Sequence, residues 1–254
     1  MKISLLTFGF SLLMGSRSAT VQPQPVQSSK QEAKKETKKN ADDVLLRVAV
    51  AHAKEQLARA DMLAEGTVTV YPDRDDKRST VLKVTLLRNG ERESQRILLQ
   101  LEGKTWDGRG ESLTPEGKRA LDFLETQYAR GLRQLLKTNA DAMVVTASDF
   151  TLTLQEKDLE KGGEKDGEKE GETTSYFLDS LTSRLAHFEF ERGQYRDTKG
   201  RDRPNVHSYA YSEYRSTDGI ATPYRVEHDT NGIKQEELQL TAVCYIAATS
   251  ARKQ

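Results

Sequence analysis

The run Tyr214-Arg215-Ser216-Thr217-Asp218-Gly219-Ile220-Ala221-Thr222-Pro223, followed by Asn231-Gly232 and an apolar alternation through Tyr245, decides the fold. Asp-Gly and Asn-Gly are the pairs that accept positive φ at both central positions of a two-residue hairpin turn. Strand, tight turn, strand, tight turn, strand is therefore the reading of this end of the chain.

Upstream, residues Met143 to Thr146, Phe150 to Gln155, Thr174 to Asp179, Leu185 to Arg192 and Val206 to Tyr214 have β-type composition or alternation. Glu156 to Glu172 interrupts them with Glu, Lys, Asp and Gly and a single Leu. It reads as a lengthened hairpin loop, since closure entropy grows slowly with loop length. Its interspersed lysines and lack of alternating oxygen ligands speak against calcium.

Before these strands, Thr114 and Pro115 open a helix whose apolar face is Leu121, Leu124, Tyr128, Leu132 and Leu135. Gly131 lies inside it and marks a bend or a close approach of backbone. Trp106-Asp107-Gly108-Arg109-Gly110 is a glycine-rich loop without the Lys-Ser/Thr ending of a phosphate loop. Further back, Thr67 to Tyr71, Thr80 to Leu87 and Arg96 to Leu101 are strand candidates, the last two joined at Asn89-Gly90. A first helix is expected from Asn40, with Asp42 and Asp43 in its first turn and Leu46, Val50, Ala53, Leu57, Ala60 and Ala64 as its apolar stripe. Gly66 is expected to end it.

The N-terminus has the form of an export leader over residues 1–19: Lys2, an apolar run from Ile3 to Met14, then Gly15, Ser16, Ser18 and Ala19. A run of twelve residues spans roughly 18 Å as helix, too short for the roughly 30 Å hydrocarbon core, so no transmembrane anchor is expected. Cleavage after Ser18 places Ser16 at the −3 position. Residues 20–40, rich in Gln, Pro, Ser and Lys, read as a flexible polar tether. A single domain is expected over 41–248, with a short tail at 249–254, and the mature protein is expected to be periplasmic or secreted, as a monomer.

Lys plus Arg equals Asp plus Glu at 39 each, so no global field draws the chain to nucleic acid. Cys244 is the only cysteine, which excludes an internal disulfide. Its alternation with Leu238, Leu240 and Ala242 predicts a small inward-facing residue. His52, His187, His207 and His228 share no metal-ligand spacing and are expected at strand or helix surfaces. No nucleophile elbow, paired acids or metal set appears, so neither catalysis nor a cofactor is expected.

The order of elements from Phe150 resembles the C-terminal half of bacterial exported proteins of the outer-membrane lipoprotein-sorting type, the LolA/LolB-like fold. The resemblance rests on Phe150-Thr151-Leu152-Thr153-Leu154, Tyr176-Phe177-Leu178-Asp179, Thr182, Leu185, Phe188-Glu189-Phe190, Tyr211-Ser212-Glu213-Tyr214-Arg215, Asp218-Gly219, Pro223 and the strand from Glu237 to Val243. It covers about 95 residues by motif and the rest by element order. It implies an α+β fold: a curved antiparallel sheet forming an open half-barrel, with two amphipathic helices over the concave face. In such carriers the concavity holds acyl chains. The inner-face candidates are Leu152, Leu154, Phe188, Phe190, Tyr209, Tyr211, Tyr224, Val226, Leu238 and Leu240. The expected function is a non-catalytic envelope protein binding a lipid or the acyl chains of a lipoprotein. The alternative is a protein-interaction, sensor or structural module with a closed core, partnered by another envelope protein.

Overall fold

The computed structural model describes residues 27–72, 78–90, 92, 94–107, 113–138, 144–155 and 173–247. The leader, Met143, Gly108 to Gly110, the insertion from Glu156 to Glu172 and the tail at 249–254 lie outside the described residues.

Both C-terminal turns form as the dipeptides require. Asp218 and Gly219 take φ of 52° and 80°, Asn231 and Gly232 take 53° and 77°. Thr217 pairs directly with Ile220, and Thr230 with Ile233. These two-residue turns join β9 (Asp202–Thr217), β10 (Ile220–Thr230) and β11 (Ile233–Ala247). Before them run β5 (Val144–Ala147), β6 (Thr151–Gln155), β7 (Thr173–Leu178) and β8 (Leu185–Arg196). The N-terminal half supplies β1 (Ala60–Val70), β2 (Thr80–Asn89), β3 (Ser94–Leu101) and β4 (Lys104–Trp106), the last at a position read from the sequence as loop.

All strands belong to one antiparallel sheet of 11 strands in the order β4-β3-β2-β1-β11-β10-β9-β8-β7-β6-β5. It is two meanders joined where β1 pairs β11, and among the described residues it does not close: β4 and β5 are its edges. The class is α+β, an open half-barrel. Its helices are α1 (Gln27–Ala51), α2 (Lys54–Arg59), α3 (Pro115–Arg130) and α4 (Leu132–Lys137). The sheet curls around α3. Gln127 Nε2 donates to Tyr211 Oη of β9 at 3.3 Å, while Arg88 of β2 donates to Gln127 Oε1 at 3.4 Å. β2 and β9 lie four strand spacings apart, roughly 19 Å along the sheet. Inward side chains of a flat sheet run parallel, so their convergence on one amide requires curvature.

Several sequence expectations are corrected. The first helix begins at Gln27, inside the stretch read as tether, and α1 ends at Ala51, with Ala53 in the left-handed region at φ 48°. Ala60 and Ala64 belong to β1, so Gly66 ends no helix. It sits in the strand where a Cβ would come within 2.2 Å of the Gln239 carbonyl oxygen. The buried stripe of α1 is Ala41, Val44 and Val48, continued by His52 just past its end, whereas Leu46 and Val50 are 66% and 74% exposed. Both stripes have helical spacing, and the docking of α1 on β5 and β6 selects between them.

Cys244 is exposed rather than inward. The β1–β11 register pairs Glu65 with Ala242 and Gly66 with Leu240, leaving Thr241 as an extra residue. This bulge shifts the alternation by one. Leu238 and Leu240 face inward before it, Val243 and Tyr245 pack against the core after it, and Ala242 and Cys244 turn outward.

Gly131 divides α3 from α4, and a Cβ there would lie 2.2 Å from Tyr211 Oη. Two histidines also depart from the surface expectation: His52 is wholly buried and His228 nearly so.

Candidate functional site

α3 is positioned by its start. Thr114 Oγ1 accepts from the Gly117 amide at 3.1 Å, with Pro115 in the first turn. Its periodicity then turns Ala120, Phe123, Leu124 and Gln127 onto the sheet. Phe123 escaped the sequence-derived stripe although it shares that face.

The space beneath the helices has a closed part and an open part. Under α3 and over β8, β9 and β10, rings fill the concavity. Phe123 stacks on Tyr209 at 5.8 Å, Phe188 on Tyr209 at 4.8 Å, and Tyr209 on His228 at 4.4 Å. Phe190 stacks on His207 at 5.2 Å. Burying each such ring contributes about 1.5–3 kcal/mol. A polar chain borders this stack: Arg119 Nε donates to Glu236 Oε1 at 2.9 Å, Glu236 Oε2 lies 2.6 Å from His228 Nδ1, and His228 Nε2 lies 3.0 Å from His207 Nδ1. Desolvation, then the neighbouring His228, holds the His207 pKa below its ordinary value. Among the described residues no group of three or more His, Cys, Asp or Glu is placed to hold a metal ion.

The open part lies between α2, α4 and the seam of the two meanders. Hydrogen-bond pairing of β10 with β11 stops at Arg225 and Gln239, and β11 continues against β1 alone. Pro223 falls in the stretch of β10 that pairs only β9, which is why its missing N–H is tolerated. Beside this splay is a cavity of about 250 Å³. Met62, Leu86, Val226, Leu238 and Leu240 form its apolar wall on the sheet, with Leu57, Leu132 and Leu136 on the helices.

All ten inner-face candidates are buried, within one core cluster. Tyr211, Val226, Leu238 and Leu240 line the cavity; Leu152, Leu154, Phe188, Phe190, Tyr209 and Tyr224 do not. Phe188, Phe190 and Tyr209 belong to the closed ring stack, and Tyr224 stacks under the Arg215 guanidinium at 4.1 Å. Leu152 and Leu154 belong to the packed core on β6.

The polar end of the cavity was missed. Its lining carries Lys54, Arg88, Arg133 and Lys137 and no carboxylate. Arg88 extends the inward register of Leu82, Val84 and Leu86 on β2, so an arginine in phase with an apolar face was the available signal. Its Nε donates to Gln95 Oε1 at 2.7 Å, and desolvation lowers its pKa from the ordinary arginine value. The Tyr128 ring lies 5.0 Å from the guanidinium carbons of both Arg88 and Arg133, and Arg133 Nη1 donates to Tyr128 Oη. Burial pushes the Tyr211 phenol up, so it stays a neutral hydroxyl at the cavity wall.

Among the described residues no helix is long and apolar enough to cross a membrane. No protein-family model matches the chain, and no curated relative matches it. Among solved structures the chain is similar to a LolA superfamily protein from Nitrosomonas europaea, 11% identical over 80% of this chain and 92% of that one, with a TM-score of 0.39. It is similar to an outer membrane lipoprotein-sorting protein domain from Vibrio parahaemolyticus, 10% identical over 84% and 93%, with a TM-score of 0.36. It is also similar to a DUF1329 family protein from Desulfovibrio piger, 12% identical over 84% and 95%, with a TM-score of 0.38.

Proposed function

We propose that this is an exported, non-catalytic binding protein of the cell envelope that holds an apolar ligand, a lipid or an acyl chain, in its half-barrel. The observation that carries this reading is the apolar cavity of about 250 Å³ between α4 and the seam of the sheet. Small-molecule sites form in concave, mostly apolar spaces with a few polar groups at one end, and this space has that character. It lies just below the roughly 300–1,000 Å³ of ordinary small-molecule pockets, which suits one chain. The leader-like N-terminus supports export.

Chain length provides the test. Each methylene moved from water to such a wall contributes about 0.8 kcal/mol, so affinity for a series of n-alkanols is expected to rise roughly fourfold per carbon until the cavity is full. Leu240→Glu, which buries an unpaired charge on the wall, is expected to abolish binding, with a thermal melt to confirm that the variant folds. Absence of saturable binding to any member by the folded wild-type protein overturns the proposal. The half-barrel is then left as a protein-interaction, sensor or structural module.

A further inference from the structure

We infer, resting on that cavity reading, that the ligand is a single-chain amphiphile with an anionic head. The head, a carboxylate or phosphate monoester, sits at Arg88 and Arg133 while the chain lies along Met62, Leu86, Leu238 and Leu240. The cavity wall is apolar, yet the charged groups lining it are all cations. Arg88 cannot relieve its desolvation by losing a proton, because guanidinium stays charged. Its protein partners are neutral: two amide oxygens, from Gln95 and Gln127, and the face of Tyr128. Nε and one Nη are thereby used, and the other Nη has no protein acceptor among the described residues. Asp61, in the neighbouring depression at the ends of β1 and β2, accepts from the Gly90 amide at 3.0 Å and makes no ion pair with Arg88.

Arg133 adds a second positive charge against the same tyrosine ring. Like charges held together on one ring repel, and Arg133 lowers the pKa of Arg88. An anion between them reverses the sign of this interaction and supplies acceptors for the open Nη. Forked guanidinium donors fit the planar oxygens of a carboxylate or the oxygens of a phosphate. The apolar wall starts next to them, so head and chain of one molecule are recognised together.

Displacement of the neutral fluorophore N-phenyl-1-naphthylamine from the full chain separates the possibilities. The competitors are decanoate, decyl phosphate, decanol and decyltrimethylammonium, with acetate and inorganic phosphate as heads without chains. Decanoate or decyl phosphate is expected to compete at concentrations about tenfold or more below decanol. Whichever of the two is stronger identifies the source of the anion. Arg133→Gln and Arg88→Gln are expected to remove that preference, read in each variant as the ratio of decanoate or decyl phosphate competition to decanol competition. Arg133 is half-buried on α4 and carries the test if Arg88→Gln fails to fold. Equal competition by decanol and decanoate overturns the anionic head and leaves the cavity reading standing. Competition by acetate or phosphate alone overturns the amphiphile. Failure of the fluorophore and of every decyl compound to bind overturns the cavity reading, and this inference with it.

Discussion

His52 shows how one side chain can tie a helix to a sheet. It lies at the end of α1, wholly buried, and uses both ring nitrogens. Nε2 accepts from the Leu185 amide at 3.2 Å and Nδ1 lies 3.3 Å from the Ala221 carbonyl, linking α1 to β8 and β10. The Nδ1–H tautomer satisfies both contacts, whereas the imidazolium has no acceptor role for Nε2. Desolvation, partly offset by the Ala221 bond, lowers its pKa from 6.5 to about 4. The folded state thus binds this proton more weakly than the unfolded chain. The His52 contribution to stability is complete above pH 6.5 and declines as pH falls toward 4, by about 3 kcal/mol at most. Denaturant titrations of the wild-type protein and His52→Leu are expected to show a steeper loss in the wild type across this window. Parallel curves would remove His52 as the cause. Its burial was not legible in the sequence, because the groups it bonds lie over a hundred positions away.

At the scale of elements, turns were legible and faces only partly so. The β6–β7 hairpin brings Gln155 directly opposite Thr173 across the charged insertion. A two-residue turn suits strand ends paired in this way. Replacing residues 156–172 by Asn-Gly is expected to leave the thermal melt cooperative and close to its original midpoint, as followed by circular dichroism. Loss of cooperative unfolding would mean that the insertion supports the core. The α1 helix and β11 show where periodicity falls short. In α1, apolar residues at two sets of helical spacing compete for one docking face. In β11, the bulge at Thr241 reverses the alternation that would have hidden Cys244.

Across the whole molecule, the seam between β1 and β11 holds two meanders as one sheet. Its partners run from Ala60 with Ala247 to Val70 with Glu236, so the first and last strands must meet before the sheet is continuous. Such non-local pairing makes folding slow and leaves little local support for the seam. Stopping the chain after Gln239 removes Leu240 and Tyr245 from the cavity wall and seven of the eleven β1–β11 residue pairs. This truncation is expected to abolish cooperative unfolding. Ile246→Lys, on the exposed face of β11, is expected to change stability by no more than about 0.5 kcal/mol. A cooperative melt from the truncated chain would show that the meanders are stable without their seam.

The sequence by itself determined the local structure: both tight turns, most of the strands, and the start of α3. These follow from turn stereochemistry, capping and period-two burial, which act over a few residues. Only the tertiary structure decided which stripe of α1 is buried, where the alternation of β11 reverses, and that the inner face is divided between a packed ring stack and a cavity. It also decided that Arg88 meets Arg133 and Tyr128 at the cavity's polar end. Those outcomes depend on pairing between distant segments and on curvature of the sheet, which bring together side chains that no sequence spacing connects.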